Sequence, residues 1–225
     1  MKRAISLLQA AALACCLCTG AFAASEEAMY AAGVLNDLGL FGGVGANADG
    51  SPNYDLDRPM TRAEAVTMLV RLLGKEEAAQ TGTWDLPFRD VPDWAAPYVG
   101  YACFRGLTNG VDEGLFGSDT RVSATQYLTF LLRALGYSSD ADFKWNEAWT
   151  LTDRLGITAG QYGSSSGFLR SDAVLVSRNA LLAQVKGTER TLLSTLKLKT
   201  DERKADIAKR LYPPAPDSPE DPGLG

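Results

Sequence analysis

The sequence predicts an all-α fold built from repeated helix-loop-helix units, and three observations lead there. Residues 56–74, LDRPMTRAEAVTMLVRLLG, align with residues 118–136, SDTRVSATQYLTFLLRALG, as two versions of one stretch. Both carry apolar residues at helical spacing, Val66, Leu69, Val70 and Leu73 in the first and Leu128, Leu131, Leu132 and Leu135 in the second. Both also open on an S/T-x-x-E/Q capping box, Thr61 with Glu64 and Ser123 with Gln126, and close on a glycine suited to a left-handed cap, Gly74 and Gly136.

Along the chain, residues 1–23 read as a secretory signal peptide. Lys2 and Arg3 precede an apolar run from Ala4 to Cys18, and Ala21-Phe22-Ala23 forms an A-x-A cleavage site. Cleavage removes both cations, so a formal charge of −5 becomes −7. Cys15, Cys16 and Cys18 leave with the signal, and Cys103 remains, read as a small buried hydrophobe in a helix rather than a reactive thiol. A lipid-anchored start at Cys15 or Cys16 is a minor alternative, because the residues before each make a poor lipoprotein cleavage sequence. No second long apolar stretch follows, so no transmembrane helix is expected.

The first unit spans residues 28–75. A short helix in MYAAGVLNDLGLFGG ends at Gly39-Leu40, and a long loop rich in Gly, Asp and Asn leads to the helix that begins MTRAE. The second unit, residues 86–138, repeats the plan with WAAPYVGYACFRGLTNG ending at Gly106-Leu107. The third, residues 142–186, has WNEAWTLTDRLGITAG ending at Gly156-Ile157, then LRSDAVLVSRNALL. Arg170, Asp172, Ala173 and Val174 there line up with Arg62, Glu64, Ala65 and Val66, but the copy lacks the capping Thr and its apolar register degrades at Ser177 and Arg178. A unit of this size cannot bury its apolar face alone, so the copies should pack on one another. Residues 188–211 read as a further charged helix, and residues 212–225 as a Pro-rich acidic tail expected to be disordered.

Composition narrows the chemistry. With 46% hydrophobic residues the chain can bury a core, and its net negative charge argues against a nucleic-acid partner. The absence of His removes the usual imidazole base and the commonest nitrogen donor to zinc, and no G-x-S-x-G motif occurs. No cofactor and no catalytic residue is therefore expected.

The pattern resembles the S-layer homology (SLH) family, whose module triplets anchor secreted proteins to bacterial cell walls. FRDVPDWAAPYVGYACFRGLTNGVDEGLFGSDTRVS is similar to that family's layout, with Phe88, Asp90, Val91, Trp94, Gly106, Gly110 and Phe116 in the expected order, and MTRAE is similar to its T-R-A-E signature. The resemblance covers residues 28–185. It implies three SLH-like modules in a pseudo-threefold arrangement around a central helical bundle. It further implies grooves between modules that bind secondary cell-wall polysaccharide, typically through a terminal pyruvylated amino sugar, in a Gram-positive-type or related envelope. No membrane partner is expected once the signal is cleaved.

Arg62 is the leading site candidate. A cation in the first turn of a helix meets the positive end of the helix dipole, so folding alone does not favour it there. Backbone N–H groups at a helix start favour an anion, and an adjacent guanidinium adds a fork matched to the carboxylate of a pyruvyl ketal. The competing reading is a solvated charge paired with Asp55 or Asp57. Arg170 occupies the equivalent place, whereas the second unit has Ala124 there, so at most two full sites are expected. Trp94 is read as stacking on a sugar or packing between modules, and Asp90 as orienting a turn or pairing with an Arg. Gly106 and Gly110 serve backbone geometry beside the groove. Asn47, Asp49, Asn53, Asp55 and Asp57 hint at Ca²⁺ but miss the EF-hand spacing, so no metal site is expected.

Two rival functions remain open at this stage. One is a wall-glycan hydrolase or an accessory subunit of an envelope enzyme, against which stands the lack of a separate catalytic region beside the three units. The other is a protein-interaction module in which the helix over 188–211 docks a partner and wall binding has decayed.

Overall fold

The computed structural model describes residues 24–163, 167–197 and 210–211. The signal peptide and the tail lie outside the described residues. Among the described residues the fold is mostly helical, with one two-stranded hairpin. Ser25 accepts the Ala28 N–H and starts α1 (Glu26–Asp37). The hairpin β1 (Gly45–Ala46) and β2 (Pro52–Asn53) follows within the long first loop, where the sequence suggests only turns. The other helices are α2 (Arg62–Leu72), α3 (Glu76–Thr81), α4 (Ala96–Phe104), α5 (Ala124–Ala134), α6 (Ala148–Arg154, preceded by the 3₁₀ turn Trp145–Glu147), α7 (Arg170–Leu182) and α8 (Leu192–Thr195). Of the helix expected over 188–211, the four residues of α8 and residues 210–211 are helical, residues 198–209 are outside the described residues, and the turn at 186–189 precedes Thr191, the cap of α8.

Both capping boxes form as read. The Thr61 hydroxyl accepts the Glu64 N–H and the Glu64 carboxylate accepts the Thr61 N–H at 2.9 Å, and Ser123 with Gln126 does the same. α7 keeps half of the device, because Leu169 offers no side-chain acceptor while Asp172 still accepts the Leu169 N–H at 2.8 Å. Gly74 and Gly136, at φ of +61° and +88°, take the left-handed conformation that ends α2 and α5.

Packing links each unit to another. α4 packs on α2, α6 on α5, and α1 on α7, so the first helix of every unit lies against the second helix of a different one. The interhelical faces are apolar, and residues such as Leu35, Leu69, Leu131 and Leu181 are fully buried. Ser177, where the apolar register of the third unit slips, is buried and hydrogen-bonds the Tyr127 hydroxyl at 2.8 Å, which joins α5 to α7.

Extended residues ahead of the second helices also interlock. Val122 donates to the Met60 carbonyl, while Arg62 and Ala63 donate their backbone N–H groups to Thr120 and Ser118. At the start of α7, Arg170 and Ser171 donate theirs to Arg58 and Leu56. These donors would otherwise be unsatisfied at the helix starts, and carbonyls of another unit fill them. Among the described residues, no helix is long and apolar enough to cross a membrane.

Candidate functional site

Arg62 is not the solvated charge that pairs with Asp55 or Asp57. Arg58 takes Asp55 instead, and Arg62 is 5% exposed. Its side chain leaves α2 and enters the second unit, where Nη2 donates to the Asn109 carbonyl at 2.7 Å and the Thr108 hydroxyl at 3.2 Å. The guanidinium carbon lies 4.9 Å from the centre of the Phe116 ring and 5.0 Å from that of Phe130. Its Nε has no partner among the described residues. Burial holds its pKa below the ordinary guanidinium value, with the Cys103 thiol opposing and Arg133 adding to the shift. The helix start itself offers no free N–H cradle, since the Thr120 and Ser118 carbonyls occupy its donors. Any anion held here is held by side chains.

The more complete groove is built around Arg170. It encloses 170 Å³ between the loop 41–44, α2, Trp94 and the start of α7. Arg170 is 6% exposed, donates from Nε to the Tyr54 carbonyl at 3.0 Å and stacks 5.4 Å over Phe41. It makes no ion pair among the described residues. Burial lowers its pKa and Arg58 adds to that, while Glu64 and Asp55 oppose. Arg71 lines the same groove, held at its mouth by Glu76 at 2.9 Å and by the Tyr98 hydroxyl at 3.4 Å. Also lining it are the Thr67 hydroxyl, buried without a partner among the described residues, and the Trp94 indole, 53% exposed. Gly43 lets the hairpin close this wall, because a Cβ there would sit 2.2 Å from the Asn53 carbonyl oxygen.

The second unit has a related crevice of 380 Å³ lined by Gly106, Asn109 and Arg133. Arg133 bonds the Ser139 hydroxyl at 3.2 and 3.1 Å, and Arg62 lies behind Asn109. The first groove thus unites Arg170 from the start of α7 with Arg71 from the last turn of α2, whereas the second is lined by Arg133 from the last turn of α5, and Arg62 from the start of α2 reaches only the residues behind it. Arg71 and Arg133 escape the sequence reading although the repeat aligns them. The reason is geometric: nine residues along a helix is two and a half turns, so Arg62 and Arg71 leave α2 on opposite sides and serve different grooves.

The remaining candidates fall into place as follows. Asp90 does not pair with an arginine; its carboxylate accepts the N–H groups of Phe116 and Gly117 at 2.7 Å and of Ser118 at 3.2 Å. Burial opposes but those three bonds prevail, so its pKa lies below the ordinary carboxylate value. Gly110 belongs to the turn that Asp90 organises, where a Cβ would lie 2.6 Å from the Leu115 carbonyl oxygen and from the Phe88 ring. Gly106, at φ +68°, ends α4 and lines the second crevice. In the Asp-rich loop Asp49 bonds Ser51 and Asp55 bonds Arg58, and no cluster that could hold a metal ion occurs among the described residues. Cys103 is a half-buried thiol whose pKa burial raises.

No family model matches the chain. It is 33% identical over 162 residues to a "Cell surface protein" of Thermoanaerobacter kivui, an alignment covering 69% of this chain and 20% of that protein. It is 29% identical over 195 residues to the "Middle cell wall protein" of Brevibacillus brevis, covering 80% and 18%. It is also 29% identical over 106 residues to a "Cellulosome-anchoring protein" of Acetivibrio thermocellus, covering 44% and 24%. The chain thus spans about a fifth to a quarter of the length of these relatives. It is similar to part of several larger bacterial surface and cell-wall proteins.

Proposed function

We propose that the protein is a non-catalytic component of a bacterial cell surface that binds an acidic wall glycan in the groove between Arg170, Arg71 and Trp94. The observation that carries this reading is the Arg170 guanidinium. It is more than nine-tenths buried, it has no ion pair among the described residues, and it lies beside the unpartnered Thr67 hydroxyl and an exposed indole. A carboxylate fixed on a sugar would supply the missing charge, a ring hydroxyl would satisfy Thr67, and the sugar's C–H face would cover Trp94. The names of the relatives support the location, and the SLH resemblance supports a pyruvylated amino sugar at the end of a secondary wall polysaccharide as the ligand. In this reading Arg133 lines a second, weaker groove with Arg62 behind Asn109, and the start of α5 in the second unit, with Ala124 in the equivalent place, contributes none.

Co-sedimentation with purified sacculi tests the proposal. Wild type should sediment with pyruvylated walls and stay soluble with depyruvylated ones, and Arg170→Ala should lose more binding than Arg62→Ala. Equal binding to both wall preparations would remove the carboxylate mechanism.

A further inference from the structure

The third unit departs from the other two at matching places, and a distant segment of the chain itself builds one wall of the space there. In the repeat register Asn179 stands where Arg71 and Arg133 stand, Gly156 where Gly106 stands, and Leu182 where Gly136 stands. These residues line a crevice of 330 Å³ that corresponds to the one beside Arg133, and Leu211 lines it too. Leu211 is 2% exposed. The residue before it is pinned to α1, since the Tyr30 hydroxyl donates to the Arg210 carbonyl at 2.7 Å and Arg210 pairs with Asp37 at 2.7 Å. Tyr30 and Asp37 are seven residues apart, hence on one face of α1, and that helix packs on α7.

We infer that the edge of the third groove is an intramolecular docking site for the chain's own segment at Arg210 and Leu211, which is held on α1 and builds one wall of the groove. Leu155, Leu182 and Ala183 offer the leucine apolar contact beside the polar Arg178 and Asn179. No guanidinium faces it at position 179, where Asn179 instead donates to the Ile157 carbonyl at 3.0 Å and accepts from Arg178. Arg178, which also lines the groove, is tied through Nη2 to Glu27 of α1 at 2.8 Å, while its buried Nη1 has no partner among the described residues. A leucine side chain gains by leaving water, and the Tyr30 bond satisfies the carbonyl that accompanies it. The exposed Arg210–Asp37 pair adds orientation rather than strength. The consequence is that α1, α7 and the C-terminal segment form one seam between the first and third units, independent of any glycan.

Trypsin digestion of the full chain under native conditions tests this, with the cut after Arg210 timed by mass spectrometry and the cut after Arg71, inside α2, as the reference for global unfolding. Cleavage at Arg210 requires the segment to leave its socket, so its rate tracks the open population. Leu211→Ala should speed the cut after Arg210 by about tenfold while leaving the cut after Arg71 unchanged. Tyr30→Phe, which removes the bond to the Arg210 carbonyl, should speed it by about threefold. Equal rates in wild type and Leu211→Ala would overturn the inference. Should Leu211→Ala also speed the cut after Arg71, Tyr30→Phe decides: a faster cut after Arg210 alone upholds the docking site, and an unchanged one refutes it.

Discussion

Arg58 grips Glu64 with two parallel hydrogen bonds, Nη1 to Oε2 at 2.8 Å and Nη2 to Oε1 at 2.7 Å, and the same carboxylate caps the Thr61 N–H. The cation that serves the start of α2 therefore sits outside the helix, four residues before Arg62. Arg62 is released from any local duty and crosses into the second unit.

Arg58→Ala should cost about 1 kcal/mol of folding stability, since a partly exposed bidentate pair is lost while the capping box stays. Thermal unfolding measures it. For Glu64, burial works against ionisation, but the Arg58 bonds and the Thr61 N–H outweigh it and hold its pKa below the reference 4.5. A folded-state pKa below the unfolded one means that this stabilisation is complete above about pH 4.5 and is lost as the pH falls through the folded value. Wild type should lose stability on acidification faster than Glu64→Gln, and parallel pH profiles would contradict the assignment.

Asp90→Ala should destabilise the protein by about 2 kcal/mol, because three backbone N–H groups lose a charged acceptor at once. Asp90→Asn keeps an acceptor and should lose less. Urea denaturation of the two variants ranks them, and an Asp90→Ala midpoint equal to wild type would show that water replaces the carboxylate at no cost.

The paired helices of the three units, two capping boxes and the Gly ends were legible in the sequence because each depends on residues within a few positions, as Thr61 with Glu64 does, whereas α3 carried no such signal. The site was legible only in part. Arg62, Arg170 and Trp94 stand out locally, but whether they share a groove depends on which unit packs on which, and no local pattern encodes that. The structure places Trp94 beside Arg170, not Arg62, and adds Arg71 from the far side of α2. The charge of Arg62 was visible and its burial was not, because Phe116 and Phe130 that enclose it lie 54 and 68 residues further along.

Gly110→Ala should be more damaging than its size suggests, by roughly 2 kcal/mol, since the new methyl group meets the Leu115 carbonyl and the Phe88 ring at 2.6 Å. Gly42→Ala is the control, as a Cβ there has only the Arg71 Nη1 within 4 Å, at 3.9 Å. Circular dichroism melts should separate the two, and equal midpoints would mean that the turn at 110–115 relaxes freely.

Arg62→Met distinguishes a folding role from a binding role. A buried guanidinium without a carboxylate partner and with an unpartnered Nε bears a desolvation cost that its two aromatic neighbours and the Asn109 carbonyl only partly offset. Methionine of similar length fills the same space without that cost, so stability should stay within about 1 kcal/mol of wild type and can rise. If Arg62 exists to hold the units together, wall binding should survive the change. If it exists to meet an anion in the second groove, binding to pyruvylated sacculi should fall about threefold while the melting midpoint holds, a loss of roughly 0.7 kcal/mol for a secondary site. Retention of full binding at unchanged stability would leave Arg170 and Arg71 as the anion contact and assign Arg62 to the core.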